Sequence, residues 1–390
     1  MKKILILGTT KATVKAIEEI RASDKESEMT VFAFDGHYPY DRGLFPKLIA
    51  KELKLNEVLF KPKDFYERHR VKFIFDKKLA KVNFKKHKMT TEEKDQIEYD
   101  LLLITEAPQY KFPDIRGINK TGVFGLKRLQ DIQRMIDLAS VSDTIVLQSD
   151  CWEDLKIAEA FARKGKEVFV LVSAKSLWAG FWGSEIAEKI TRMLEAENFR
   201  LIYENPIAEV LGDGDAKAVR LNSGKVIACG IVIFGETEPD FKIFSDSPLN
   251  IRKKICVNRQ FKTNIDNVFA LAETAESESP EDKEEAGRRA GVTVRTLQLE
   301  RFLLMVLGNL GEFKRENLRE LQKFNEETKI YKKLFLENNH LAAAILVNGD
   351  QEKAKFQRLI KDQTNLQGVE DIVLDESSGH DRVMAEIGKK

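Results

Sequence analysis

The chain has 390 residues, 43% of them hydrophobic and 33% charged, which suits two or three folded domains with sizeable cores. A formal net charge of +1 argues against bulk electrostatic attraction to nucleic acid or an anionic membrane, and no apolar run approaches the roughly 20 residues that span a bilayer. The three cysteines, Cys151, Cys229 and Cys256, form no C-x-x-C pair, and the five histidines show no ligand spacing, so no metal is expected and a reducing cytoplasm is the expected compartment.

Residues 3–7 read as a buried strand rather than a leader, 11–22 as an amphipathic helix, and 29–34 as a second strand ending at Asp35. Residues 71–84 alternate weakly and predict a β-meander, with 98–104 returning to the sheet. The same unit then recurs. Residues 144–147 predict a strand, 153–164 a helix stopped at Gly165, and 167–172 the next strand. A helix over 185–198 and a strand over 200–203 follow. Residues 207–210, 218–221 and 226–233 read as a three-stranded piece, 268–271 as a short strand and 282–307 as a long helix. Residues 312–325 predict a charged helical connector. Residues 331–336 and 341–347 predict a hairpin turned at Asn338-Asn339, since Asn tolerates positive φ; 352–361 predict a helix, and 376–390 a polar, loosely held tail.

Both repeated units carry a phosphate-type turn after a short apolar strand and before a helix, the setting in which a G-x-G-x-x-G turn cradles a dinucleotide. In the first, Gly8 stands alone, with Thr10 and Thr13 at the other two glycine positions. In the second, all three positions are changed, to Ser149, Cys151 and Asp154. Asp150, Glu153 and Asp154 crowd the second helix start, where they can cap it themselves. A diphosphate there would meet repulsion of about 4 kcal/mol per unit-charge pair near 4 Å at an effective dielectric of 20.

The order of pieces resembles the FAD-dependent pyridine-nucleotide oxidoreductases, of the branch with rubredoxin and ferredoxin reductases and the flavin module of the assimilatory nitrite reductase large subunit. Pro39-Tyr40-Asp41-Arg42-Gly43-Leu44-Phe45-Pro46-Lys47 resembles P-Y-x-R-P-x-L-S-K beside the flavin. Residues 99–107 resemble Y-D-x-L-L-I-A-T-G-A, and Phe112-Pro113 to Gly117 the following P-x-I-x-G. Residues 231–239 resemble, less closely, the strand leading into G-x-G-x-x-P. Residues 263–273 resemble T-S-x-P-x-V-Y-A-A-G-D, and 286–291 the glycine-bearing helix after it. The resemblance implies an α/β chain with two Rossmann-like FAD/NAD(P)-binding-type domains of three-layer ββα build, plus a small C-terminal α+β domain. The expected boundaries are 1–115 with 240–311 for the first domain, 116–239 for the second, 312–375 for the third, and 376–390 for the tail.

Carried onto this sequence, the resemblance implies a flavin site made by Gly8, Thr9, Thr10, Asp35, Tyr40, Arg42, Lys47, Thr105 and Glu273. Asp35 would accept from the adenosine ribose. Two departures fall inside that site: the glycine of A-T-G is Glu106, and the terminal G-D is Ala272-Glu273. FAD therefore stays an open expectation, NAD(P)H is not expected at the second turn, and no side chain is identified as an acid, base or nucleophile. Cys151 reads as a structural thiol. Trp178, Phe181 and Trp182 read as core, or else as an aromatic plug over the second cleft.

Three readings follow. The chain is a cofactor-poor structural or electron-transfer-associated subunit of a redox complex, or a flavoprotein fed by a protein partner, or a complete NAD(P)H-dependent reductase, the last disfavoured by the lost glycines. A protein partner or a second copy is expected; nucleic acid and membrane are not.

Overall fold

The computed structural model describes residues 1–75, 77–173, 191–194, 199–277, 294–300, 302–308 and 318–389, and the chain divides into two units. One comprises 1–188 with 198–279, the other 189–197 with 280–390.

The first unit holds two parallel sheets. In one, the strands run in the order Val268–Ala270, Leu101–Ile104, Lys3–Leu7, Glu28–Phe32 and Val71–Ile74. The central strand is a continuous apolar run because both of its faces are covered. On one side Ile4, Ile6, Met29 and Val31 pack against Val14, Ala16 and Ile17 of the helix Lys11–Ser23. On the other, Leu5, Leu7 and Phe32 meet Leu79, Val82 and Met89 of an antiparallel meander, Leu79–Asn83, Lys88–Thr91 and Gln96–Glu98.

The second sheet repeats this plan. Its order is Phe199–Tyr203, Glu167–Val172, Thr144–Gln148, Ile231–Phe234 and Val123–Gly125. Val146, Phe169 and Val232 pack with Val210, Val219 and Ile227 of the three-stranded piece Ile207–Leu211, Ala218–Leu221 and Val226–Ala228. The expected strand 226–233 is thus two strands. Only its first part joins the three-stranded piece; after Gly230 the chain enters the parallel sheet beside Thr144–Gln148. The strand Val123–Gly125 and the helix Leu129–Leu138 were not anticipated, although Leu129, Ile132 and Met135 are fully buried at helical spacing.

The second unit is a five-stranded antiparallel sheet in the order Val294–Gln298, Leu303–Leu307, His340–Val347, Tyr331–Glu337 and Arg319–Phe324. Helices Lys353–Lys361, Glu370–Leu374 and His380–Ile387 supply apolar side chains to its core. The hairpin turns at Asn338 and Asn339 with φ of 50° and 64°, as their side chains allow.

Three expectations are corrected here. The described part of 282–307 is two strands, not a helix, and they belong to the C-terminal sheet rather than to the first domain. In 312–325 the described residues include the edge strand Arg319–Phe324, in which only Leu321 and Phe324 are half-buried, so no alternation marks it as a strand. The tail is not loose: Val383 of its helix is fully buried in the core. Residues 286–291, most of the expected helix 185–198, and Trp178, Phe181 and Trp182 lie outside the described residues.

Candidate functional site: two helix ends closed by their own side chains

The first turn is set by strand pairing. Leu7 lies beside Phe32 and Ile104, so the chain leaving Lys3–Leu7 passes directly under residues 105–106. Gly8 adopts φ +113°, and a Cβ there would lie 2.2 Å from the Glu106 Cβ, which accounts for the one surviving glycine. Thr13 and Thr105 are fully buried, and their hydroxyls lie 2.8 Å apart. The Thr13 hydroxyl also accepts from the Thr10 N–H at 3.2 Å and donates to the Gly8 carbonyl at 2.9 Å. The Thr10 hydroxyl sits 3.4 Å from the Thr105 carbonyl. The threonines thus fill the space glycines would leave and bond to the neighbouring backbone.

Glu106 is the centre of the site and has no solvent exposure. Its Oε2 accepts from the Thr9 N–H at 2.9 Å, at the start of the helix. Its Oε1 accepts from Arg42 Nη2 at 2.8 Å and Arg128 Nη1 at 2.9 Å. Arg42 continues to Glu273, with Nη1 at 2.9 and 3.1 Å from the two carboxylate oxygens. The Tyr110 hydroxyl donates to the same carboxylate at 2.5 Å. Burial would raise the Glu273 pKa, but Arg42 and the Tyr110 hydrogen bond outweigh it and hold the carboxyl below its ordinary value. Burial would likewise lower both arginines, and the carboxylates, Glu106 foremost, keep them above theirs.

Asp35 is engaged nearby. Its Oδ2 accepts from the Tyr40 hydroxyl at 2.6 Å and from the Leu129 N–H at 3.2 Å, so it caps the helix Leu129–Leu138. Its Oδ1 is buried without a hydrogen-bond partner. A cleft of about 310 Å³ adjoins it, walled by Phe34, Tyr110, Phe112, Lys127 and Thr237, the last with a buried, unpartnered hydroxyl oxygen. Of the anticipated flavin-site residues, Gly8, Thr9, Thr10, Thr105, Arg42 and Glu273 come together around Glu106, Asp35 and Tyr40 sit beside them, and Lys47 is exposed on the short helix Phe45–Ile49. Arg128 and Tyr110 were not anticipated.

The second helix end is crowded differently: Asp154 stands at the N-cap but makes no capping bond, contrary to expectation, because its carboxylate is taken by a serine hydroxyl. Asp154 Oδ2 accepts from the Ser149 hydroxyl at 2.7 Å, and Ser149 accepts from the Cys151 N–H at 3.0 Å. A Cβ built on Gly235 would lie 2.0 Å from Asp154 Oδ2, so this carboxylate presses against the strand end opposite. Asp150 Oδ1 accepts from the Ser173 N–H at 2.7 Å. Burial raises the Asp154 pKa from 3.8 to about 6. Burial, then the adjacent carboxylates, push the Cys151 thiol up to about 12, and it donates to Glu153 at 2.9 Å. Such a thiol has little thiolate character.

Residues 2–290 match the family model described as pyridine nucleotide-disulphide oxidoreductase, which is most of the chain. The chain belongs to that family. Residues 303–364 match the rubredoxin NAD+ reductase C-terminal domain. Among its relatives, the nitrite reductase [NAD(P)H] of Bacillus subtilis is 23% identical over 94% of this chain and 48% of its own. The assimilatory nitrate reductase electron transfer subunit of the same organism is 19% identical over 97% of this chain and 52% of its own. The chain thus spans about half the length of these curated relatives. The fold matches a chain of the covalent putidaredoxin reductase–putidaredoxin complex with a TM-score of 0.82 at 13% identity, covering 100% of this chain and 99% of that one. It also matches NADH:rubredoxin oxidoreductase from Clostridium acetobutylicum, with a TM-score of 0.74 at 17% identity over 99% of each chain. Family members are FAD- and NAD(P)H-dependent oxidoreductases and electron-transfer subunits. Among the described residues, no helix is long and apolar enough to cross a membrane.

A dinucleotide's diphosphate needs the free N–H groups and positive end of the first-turn helix. In the arrangement described, Thr9 N–H, Arg42 and Arg128 are all engaged by Glu106, and the residues present do not fit FAD at that point.

Proposed function

We propose that this chain is a member of the reductase family that has lost its NAD(P)H site and serves as a structural or electron-transfer-associated subunit of a larger redox assembly in the cytoplasm. The observation that carries this reading is the second helix end. Its carboxylates crowd the place where a dinucleotide's phosphates would rest, and Asp154 lies against Gly235 on the strand end opposite. Support also comes from the company the chain keeps: a relative named as an electron transfer subunit, and a fold match to a reductase linked to its protein partner. The partner is a protein or a second copy of the chain.

A second reading keeps FAD and takes electrons from a protein partner or from NAD(P)H. The unpartnered Oδ1 of Asp35 favours it, since the family's acid at that place holds the adenosine ribose. Glu106 opposes it.

The test is a visible spectrum of the purified protein followed by anaerobic addition of NADH. A colourless protein with no NADH binding by calorimetry is expected. A yellow protein that NADH leaves oxidised supports the second reading, and bleaching by NADH overturns the first.

A further inference from the structure

We infer that Glu106 is a built-in anion that occupies the family's diphosphate position, so that this one side chain closes the first cofactor site. The inference stands apart from the reading of the second helix end, which has its own residues and its own test. Three donors converge on the Glu106 carboxylate: the backbone N–H of Thr9 at the helix start, and the guanidinium groups of Arg42 and Arg128, all at 2.8 to 2.9 Å. A backbone N–H from the turn before a helix and one N–H from each of two arginines are donors of the kind by which proteins hold phosphate oxygens. A carboxylate offers the same charge-assisted acceptors at the same distances.

The local charge also balances without a ligand. Arg42 and Arg128 face Glu106 and Glu273 within hydrogen-bond distance, two cations against two anions. A further diphosphate would add negative charge to a neutral, largely buried cluster whose donors are engaged. Glu106 is held in place by its neighbours: its Cβ lies where Gly8 must pass beneath it, and the side chain has no solvent exposure. A glycine or alanine at 106 would leave both guanidinium groups and the Thr9 N–H facing an empty place of carboxylate size. The site would then be an anion site for a diphosphate group, whether free or part of a nucleotide.

The experiment compares wild type with Glu106→Ala and Glu106→Ser, using inorganic diphosphate and FAD as separate probes in calorimetry and thermal melts. Glu106→Ser also vacates the place while leaving a small polar group among the freed donors, so it guards against a failure of the alanine variant to fold. We expect wild type to bind neither probe. Each folded variant should bind inorganic diphosphate about tenfold or more tightly than wild type, with a matching rise in melting temperature. Uptake of FAD by Glu106→Ala would extend the result to the whole cofactor; uptake of diphosphate alone would confine it to the anion position, and both support the inference. It is overturned if wild type holds FAD or diphosphate as tightly as the variants, or if a folded variant gains no diphosphate affinity. Should neither variant fold, the wild-type arm still decides: rejection of both probes supports the inference, and bound FAD refutes it.

Discussion

The two phosphate-type turns of this chain meet acids in different ways. At the first, Glu106 arrives from a neighbouring strand, about a hundred residues away in sequence, and meets two arginines and a backbone N–H. At the second, Asp154 belongs to the turn itself, bonds to Ser149, and lies among Glu153 and Glu236 with Lys127 as its favourable charge. One acid meets two guanidinium groups at hydrogen-bond distance; the other has a hydroxyl at that distance, and burial outweighs its favourable charge. An acid that blocks a phosphate site can therefore either support the fold or burden it, depending on the cations it meets.

The largest expected effect comes from breaking the compensated end. Glu106→Ala strands two mostly buried guanidinium groups and should cost about 3 kcal/mol in denaturant unfolding. A loss below about 1 kcal/mol would mean that the cluster resembles a surface ion pair.

The pH profiles of the two ends should have opposite signs. Asp154 is raised in the folded state from 3.8 to about 6, so its contribution is full below 3.8 and is lost as pH rises through about 6. Asp154→Asn should therefore stabilise the protein at pH 7, by about 1 kcal/mol, and do little near pH 4. Glu273 is held below its ordinary 4.5, so its contribution is present above that value and is lost as pH falls below it. Glu273→Gln should destabilise at pH 7 and flatten the acid limb. Melting curves of both variants between pH 3.5 and 8 (expressed as shifts in midpoint) check this, and parallel profiles would remove the contrast.

Much of this contrast was legible in the sequence because the departures sit inside local motifs. The paired strand–turn–helix units, the threonines at 10 and 13, and the acids at 106, 150, 153 and 154 all stand next to recognisable apolar strands. Arg128 was not legible. It begins a helix whose apolar spacing is plain, but its link to Glu106 arises only because the Val123–Gly125 strand joins the second sheet beside Ile231–Phe234. Tyr110 likewise needs the fold to reach Glu273. In the C-terminal unit, charge misled: an edge strand with Arg319, Glu320 and Lys323 exposed has the composition of a solvated helix. Side-chain composition reports solvent contact there, and strand pairing decides the conformation.

The smallest expected effect concerns Ala272, which stands where the family has glycine and keeps a left-handed φ of +56°. A side chain in that region costs roughly 1 kcal/mol. Ala272→Gly should relieve it and, after the added freedom of the unfolded chain, stabilise by about 0.5 kcal/mol. Equal midpoints in urea would show that the surrounding bonds of Glu273 already absorb the strain.

The cluster around Glu106 also joins pieces from both α/β halves of the first unit. Arg42, Glu106 and Glu273 come from the sheet headed by Lys3–Leu7, whereas Arg128 and the Leu129 N–H capped by Asp35 open a helix that runs beside the other sheet. Side chains of both α/β halves thus meet in one charged cluster, which ties the halves together at this point.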